Sequence, residues 1–111
     1  MTDELSRVFG ALADPTRRAI LARLRGGEAS VADLTAALPV SQPAVSRHLR
    51  VLEEAGLLRR TRRATARLSH LEATPMRDAA DWLTDYRAWW QQSHDRLDSL
   101  LADPPVQEEP S

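Results

Sequence analysis

The chain has 111 residues, with 15 basic and 16 acidic side chains and no cysteine. This length suits a single domain, and the lack of cysteine excludes disulfides, thiolate metal sites and a cysteine nucleophile. The first residues lack the basic start and apolar core of a signal peptide, and no apolar run approaches the ~18 residues of a membrane span. The sequence therefore predicts a cytoplasmic protein with no membrane partner.

The charge is distributed unevenly along the chain. Residues 40–70 contain seven arginines and two glutamates, a net charge of +5. Residues 71–111 contain three arginines and nine acidic side chains, a net charge of -6. A basic segment beside an acidic one is typical of a protein that places one surface against a polyanion.

Three short helices are predicted in the first 39 residues. Apolar side chains at i, i+3, i+4 and i+7 from Leu5 to Leu12 predict the first, over about residues 3–13. Asp14, an N-cap residue before a proline, begins the second, and the glycines at 26 and 27 end it. Ser30, with an aspartate three residues later, resembles a capping box and begins the third.

A fourth helix, a hairpin and a long last helix follow. Ser41 is a good N-cap, and Gly56 is a natural residue to end the fourth helix. The runs "LLRRTR" and "ARLSHL" can pair as two short strands. Thr74 begins a helix of about 28 residues, and residues 103–111 form an acidic, proline-rich tail that we expect to be disordered. Residues 1–102 are therefore the predicted domain.

The third and fourth helices, joined by a tight turn, predict a helix-turn-helix. The fourth helix would turn an apolar stripe of Val45, Leu49 and Leu52 inward and a polar set outward. Glutamine can pair with adenine and arginine with guanine in the major groove. The alternative is the ordinary solvated side of an amphipathic helix. The predicted base-reading and groove residues are Ser41, Gln42, Ser46, Arg47 and Arg50.

Five arginines follow within residues 59–67. On a hairpin they would contact backbone phosphates or a minor groove, and so position the protein without reading bases. Because almost no acidic residue is nearby in the sequence, the cluster repels itself unless a polyanion neutralises it. This favours phosphate binding over a solvated charge run. The predicted phosphate set is Arg59, Arg62, Arg63 and Arg67.

The segments "LADPTRRAIL" and "SQPAVSRHLRVLEEAGL", in this order and spacing, resemble the ArsR-type winged helix-turn-helix repressors, in particular the branch without the cysteine metal site. The resemblance covers about Leu5 to Leu101. It implies a mainly α fold with a small β-hairpin wing, a homodimer built on the first and last helices, and repression by binding operator DNA. Ala64 stands where the family usually has glycine, which leaves a minor-groove contact of the wing open.

The resemblance also directs attention to the last helix, whose Trp-rich face suits a dimer interface better than an effector pocket. A responsive regulator with an unknown small-molecule effector stays an alternative, as does a protein-interaction module without specific DNA binding. His94 lacks the second histidine that family metal sites on this helix use, so we expect no metal and no cofactor. No catalytic constellation is visible, which predicts that the chain is not an enzyme. The predicted interface residues are Leu5, Phe9, Leu83, Tyr86, Trp90 and Leu97.

Overall fold

The computed structural model describes residues 3–102 as five helices and a three-stranded antiparallel sheet. This confirms the predicted mainly α fold with a small hairpin. The predicted tail, residues 103–111, lies outside the described residues. In chain order the elements are α1 (Glu4–Leu12), α2 (Pro15–Leu24), β1 (Ala29–Ser30), α3 (Val31–Ala37), α4 (Gln42–Glu54), β2 (Leu58–Arg63), β3 (Ala66–Leu71) and α5 (Thr74–Ala102).

The described residues divide into two compact units, one up to Ala79 and the other from Ala80 onward. The first unit contains the sheet, the first four helices and the start of α5, and the second is the remainder of α5. A single domain over residues 1–102 stays a prediction.

The helix starts predicted from local sequence are confirmed by their hydrogen bonds. Asp14 Oδ1 accepts the backbone N–H groups of Thr16 at 2.8 Å and Arg17 at 3.1 Å. Ser30 and Asp33 form a complete capping box, in which each side chain accepts the other residue's backbone N–H. These bonds satisfy N–H groups that have no partner within the helix.

We expect the Asp14 cap to make part of the stability depend on pH. The hydrogen bond from the Arg17 N–H holds the pKa of the Asp14 carboxyl below its ordinary value of 3.8. Because the folded pKa is the lower one, this stabilisation is complete above about pH 3.8 and is lost as the pH falls through the folded pKa. Asn caps about as well as Asp but does not titrate. Thermal unfolding should therefore show a smaller fall in Tm from pH 7 to pH 3 in Asp14→Asn than in the parent protein.

The matched control for this prediction is Asp95→Asn, on the exposed part of α5. It should keep the pH dependence of the parent protein. If Asp14→Asn loses as much stability in acid as the parent does, the cap is not a source of the acid sensitivity.

The core of the first unit fixes the rotation of α4. Val45, Leu49 and Leu52 of this helix are fully buried, as predicted, together with Ile20 of α2 and Leu34 of α3. Burying a side chain of this size contributes about 1.5–3 kcal/mol. A rotation of α4 would expose all three of its apolar residues, so the opposite side of the helix is held toward solvent.

The sheet has the strand order β1-β3-β2. The predicted hairpin of β2 and β3 is confirmed, with Leu58 opposite Leu71 and Arg63 opposite Ala66. The two-residue strand β1 was not predicted. It pairs Ala29 with Ser69 of β3, and two residues are too few to show the alternation by which a strand is recognised.

The hairpin turn places Ala64 at a φ of 55°, which is the left-handed region that favours glycine. An L-residue in this region costs about 1–2 kcal/mol, part of which glycine's greater backbone freedom in the unfolded chain offsets. We expect Ala64→Gly to raise the free energy of unfolding by about 0.5–1 kcal/mol in urea denaturation. Ala66→Gly, in the adjacent strand, is the control and should lower it. If both substitutions change the free energy of unfolding in the same direction, the backbone at Ala64 is not strained.

Candidate nucleic-acid interface

The N-terminus of α4 begins with a residue that was predicted to read bases. Ser41 is the N-cap, and its Oγ accepts the backbone N–H of Ala44 at 3.3 Å. This bond uses the oxygen as an acceptor and leaves the hydroxyl hydrogen available for donation. Ser41 is also exposed, so it can both cap the helix and donate to an external acceptor.

The remaining predicted groove residues also lie on α4. Gln42, Arg47 and Arg50 are exposed, whereas Ser46 is half-buried. Within residues 3–102, neither Arg47 nor Arg50 has a carboxylate within 4 Å. These four side chains and Ser41 form what we call the α4 surface, which presents amide, hydroxyl and guanidinium groups to solvent.

The hairpin, which we call the wing, presents two arginines on one face. Arg62 and Arg67 are directly opposite each other in the β2–β3 register, and both are exposed. In the part of the chain that the structure describes, no carboxylate lies within 4 Å of either guanidinium. Like charges directly opposite each other destabilise a strand pair. An anion bound between them would remove that repulsion.

The other wing arginines do have acidic partners, so the expectation of a cluster with almost no acid nearby is wrong for them. Two of these pairs involve arginine side chains that remain 57% and 73% exposed. Such exposed pairs contribute little to stability and can be exchanged for another anion. The pairs are Arg59 with Glu72 at 3.1 Å, Arg60 with Glu53 at 3.6 Å and Arg63 with Glu28 at 3.1 Å.

Glu28 joins the connection between α2 and β1 to the wing. Besides its pair with Arg63, it lies 3.4 Å from Nδ1 of His70, whose Nε2 is 2.7 Å from Thr61 Oγ1. The sequence gave no indication of a carboxylate beside His70, because Glu28 is 42 residues away in the chain. One face of the wing is therefore attached to the body through this glutamate.

Arg17 positions α4 and was not singled out from the sequence. Its Nε donates to the carbonyl of Ala11 at 2.7 Å and its Nη2 to that of Gly10 at 3.1 Å, both near the end of α1. Its Nη1 lies 3.2 Å from Nδ1 of His48 in α4. A guanidinium only donates, so Nδ1 is the acceptor in this contact. One side chain thus links α1, α2 and α4.

The residues predicted for a dimer interface are divided between the two units. Leu5 and Phe9, in α1, are half-buried. The others are on the second unit, where a broad apolar side of α5 is exposed in the single chain, with Trp90 at 60% and Tyr86 at 58%. Neighbouring rings contact one another along this side, including Trp89 and Trp90, stacked with centroids 5.7 Å apart. The remaining predicted residues there, Leu83 and Leu97, are 50% and 52% exposed.

Residues 3–102 contain no group of three or more histidine, aspartate or glutamate side chains that could hold a metal ion. The ring of His94 contacts Trp90 edge-on, with centroids 6.0 Å apart. None of the described helices is both long enough and apolar enough to cross a membrane.

Comparison with known proteins places these features in context. A family model described as a helix-turn-helix domain matches residues 12–61. The chain is 32% identical over 82 residues to the transcriptional repressor SdpR of Bacillus subtilis, covering 74% of this chain and 91% of that protein. It is 44% identical over 84 residues to the HTH-type transcriptional regulator Rv2034 of Mycobacterium tuberculosis, covering 76% of each. An ArsR-like transcriptional regulator from Rhodococcus sp. RHA1 matches with a TM-score of 0.70 and 29% identity, covering 87% of this chain and 92% of that one.

Proposed function

The chain belongs to the ArsR family of winged helix-turn-helix transcriptional regulators, and we propose that it is a homodimeric repressor that occupies an inverted-repeat operator. Membership in this family makes it a regulator of transcription and not an enzyme. We further propose that it acts in the cytoplasm and that the promoter of its own gene is among its targets.

The α4 surface is the observation that supports specific DNA binding most strongly. The buried stripe of α4 directs Arg47 and Arg50 outward, Gln42 is exposed in the first turn, and the two arginines have no carboxylate within 4 Å inside the described range. A helix fits the major groove, where such side chains pair with base edges. A side of a helix that served only as a solvated face would not need two arginines without counter-ions.

The wing supplies the proposed backbone contacts. Arg62 and Arg67 are the strongest candidates, because they repel each other in the free protein and a phosphate between them would remove the repulsion. Arg59 and Arg63 would first have to exchange Glu72 and Glu28 for phosphate. We therefore assign the main phosphate contacts to Arg62 and Arg67.

The salt dependence of DNA binding tests this assignment. Each phosphate that an arginine neutralises changes the slope of log K against log salt by about 0.9. Replacing Arg62 and Arg67 with Gln should flatten the slope by about 0.9 for each protomer bound, because the two arginines share one phosphate. Fluorescence anisotropy over a range of salt concentrations measures it.

The control for the wing experiment removes the same charge elsewhere. Arg87 and Arg96 are exposed on α5, and replacing both with Gln should leave the slope unchanged. If the wing variant keeps the slope of the parent protein, or if the control flattens it equally, the wing does not contact the backbone.

The dimer accounts for the exposed apolar side of α5. In a two-fold assembly the same side meets itself, and aromatic residues concentrate binding energy at such interfaces. Two α4 surfaces related by the two-fold axis would lie ~34 Å apart, one turn of DNA, which is why an inverted repeat is expected. We propose that Leu5, Phe9, Leu83, Tyr86, Trp90 and Leu97 form the interface.

The decisive experiment compares two duplexes of equal length at ~0.15 M salt, where non-specific contacts are weakened. One is the region upstream of the protein's own gene, and the other is a scrambled sequence. We expect a preference of ~10³-fold or more for the first. If both bind equally weakly, self-regulation is excluded, and selection of bound fragments from the whole genome should yield an inverted repeat. If that selection also fails, the protein-interaction alternative through the Trp-rich side of α5 replaces DNA binding.

A further inference from the structure

An apolar groove of ≈ 270 Å³ lies within the first unit, bordered by α2, the end of β3 and the first turn of α5. Leu12, Leu71 and Met76 line it and are only half-buried, although all three pack against the core. Known ligand pockets have volumes of about 300–1,000 Å³, and this groove lies just below that range, so it suits only a small ligand. It lies within one unit and contains none of the residues proposed for DNA binding or for the dimer interface.

One face of α2 forms a side of the groove. Arg18, Leu21, Ala22 and Arg25 all line it, and their spacing of i, i+3, i+4 and i+7 places them on the same side of the helix. Apolar side chains therefore occupy the middle of this face, with one arginine at each end. Seven residues separate the two arginines, which puts their Cα atoms about 10 Å apart along the helix axis.

The two arginines give the groove a positive charge. Inside the described part of the chain, neither Arg18 nor Arg25 has a carboxylate within 4 Å, and no acidic residue lines the groove. Nη1 of Arg18 donates to the carbonyl of Leu12 at 2.8 Å, which fixes this guanidinium at the rim while most of its N–H groups stay available. Carboxylates are the anions whose planar geometry matches such a fork.

From the apolar lining and the paired positive ends, we propose that this groove binds a small amphipathic carboxylate, with its hydrocarbon part against Leu21, Leu71 and Met76 and its carboxylate on Arg25. A neutral apolar molecule would leave the guanidiniums without a partner, and a cation would be repelled by them.

The groove has a structural connection to α4. Arg17, adjacent to Arg18, contacts both the end of α1 and His48 of α4. A ligand that shifts this face of α2 would therefore act one residue away from a contact that positions the α4 surface. This regulatory consequence rests on the proposed function, whereas the binding site itself does not.

The test uses the full-length protein and octanoate as the probe, with octan-1-ol and octylammonium as neutral and cationic chains of the same length. Methyl-selective NMR should show saturable 1:1 binding of octanoate, with shifts at Leu12, Leu71 and Met76. Octanol and octylammonium should bind at least about tenfold more weakly, because they cannot form the charge-assisted hydrogen bonds.

Two exposed positions provide variants that leave the core intact. Arg25→Gln should weaken octanoate binding about tenfold, whereas Arg23→Gln, on the same helix but outside the groove, should not. Ala22→Phe should fill the groove and abolish binding. The lack of saturable binding, equal binding of the three head groups, or equal loss in the Arg23 and Arg25 variants would overturn the proposal.

The two proposals are tested separately, because octanoate binding is measured without DNA. If the protein binds octanoate in this way but no specific DNA, the proposed ligand site is supported and the proposed function is wrong. If it binds its operator but no octanoate, the proposed function is supported and the proposed ligand site is wrong.

Discussion

Replacing Trp90 with Glu is expected to convert the dimer into monomers and to lower the affinity for the full operator by 10²–10⁴-fold, the gain expected when two binding modules are linked. Trp90 is 60% exposed in the single chain, so the substitution leaves the core of the first unit unchanged. In the proposed dimer, however, the indole is buried against the partner, and a carboxylate there would be desolvated without a counter-ion. A monomer binds one half-site and loses the linkage.

Analytical ultracentrifugation and anisotropy on the same samples measure both consequences. Gln91→Glu is the matched control, because it introduces the same charge at the next residue, off the apolar side of α5. It should remain dimeric and retain operator binding. A Trp90→Glu protein that remains dimeric would exclude this residue from the interface, and a monomeric one with unchanged affinity would separate DNA binding from dimerisation.

Arg47→Ala is expected to reduce the preference for operator over scrambled DNA by about 5- to 150-fold, since one bidentate arginine–guanine pair discriminates by ~1–3 kcal/mol. The side chain is exposed on α4 and has no acidic partner within residues 3–102, so its loss should leave the unfolding temperature unchanged. The expected result is a loss on the operator that greatly exceeds the loss on the scrambled duplex.

The control for Arg47 is Arg87→Ala, which removes an exposed arginine from α5 and should affect neither duplex. Equal losses on both duplexes in Arg47→Ala would mean that this side chain contacts the backbone and does not read a base. Together with the wing variants, these proteins separate base contacts from phosphate contacts, because the former change the preference and the latter change the salt slope.

The features of the fold that are local in sequence were predictable. A cap such as Asp14 or the Ser30–Asp33 box is made by residues within three positions of each other, so the sequence contains the whole interaction. The inward stripe of α4 was equally accessible, because helical periodicity fixes which residues share a side. The exposure of Arg47 and Arg50 followed from that stripe, whereas Ser46, which was predicted with them, is half-buried.

The partners of the wing arginines were not predicted, because each of them lies outside the segment 59–67, from 7 residues away for Glu53 and Arg60 to 35 residues away for Glu28 and Arg63. Glu28, Glu53 and Glu72 approach the wing from the turn before β1, the end of α4 and the end of β3. Counting charged residues along the sequence takes account only of neighbours in the chain, and it therefore overestimated the unpaired positive charge of the wing arginines. The register of β2 and β3 then decided that Arg62 and Arg67 are the two left opposite each other.

The sequence by itself determined the order of the helices, the side of α4 that faces solvent and the family, because these depend on periodicity, caps and short motifs. Only the tertiary structure decided which arginines keep a free charge, how Arg17 links α1 to His48, and that an arginine-flanked groove forms beside Met76. The physical reason is that ion pairs, side-chain hydrogen bonds and cavities depend on distances in space, which the folded core sets by bringing separate segments together.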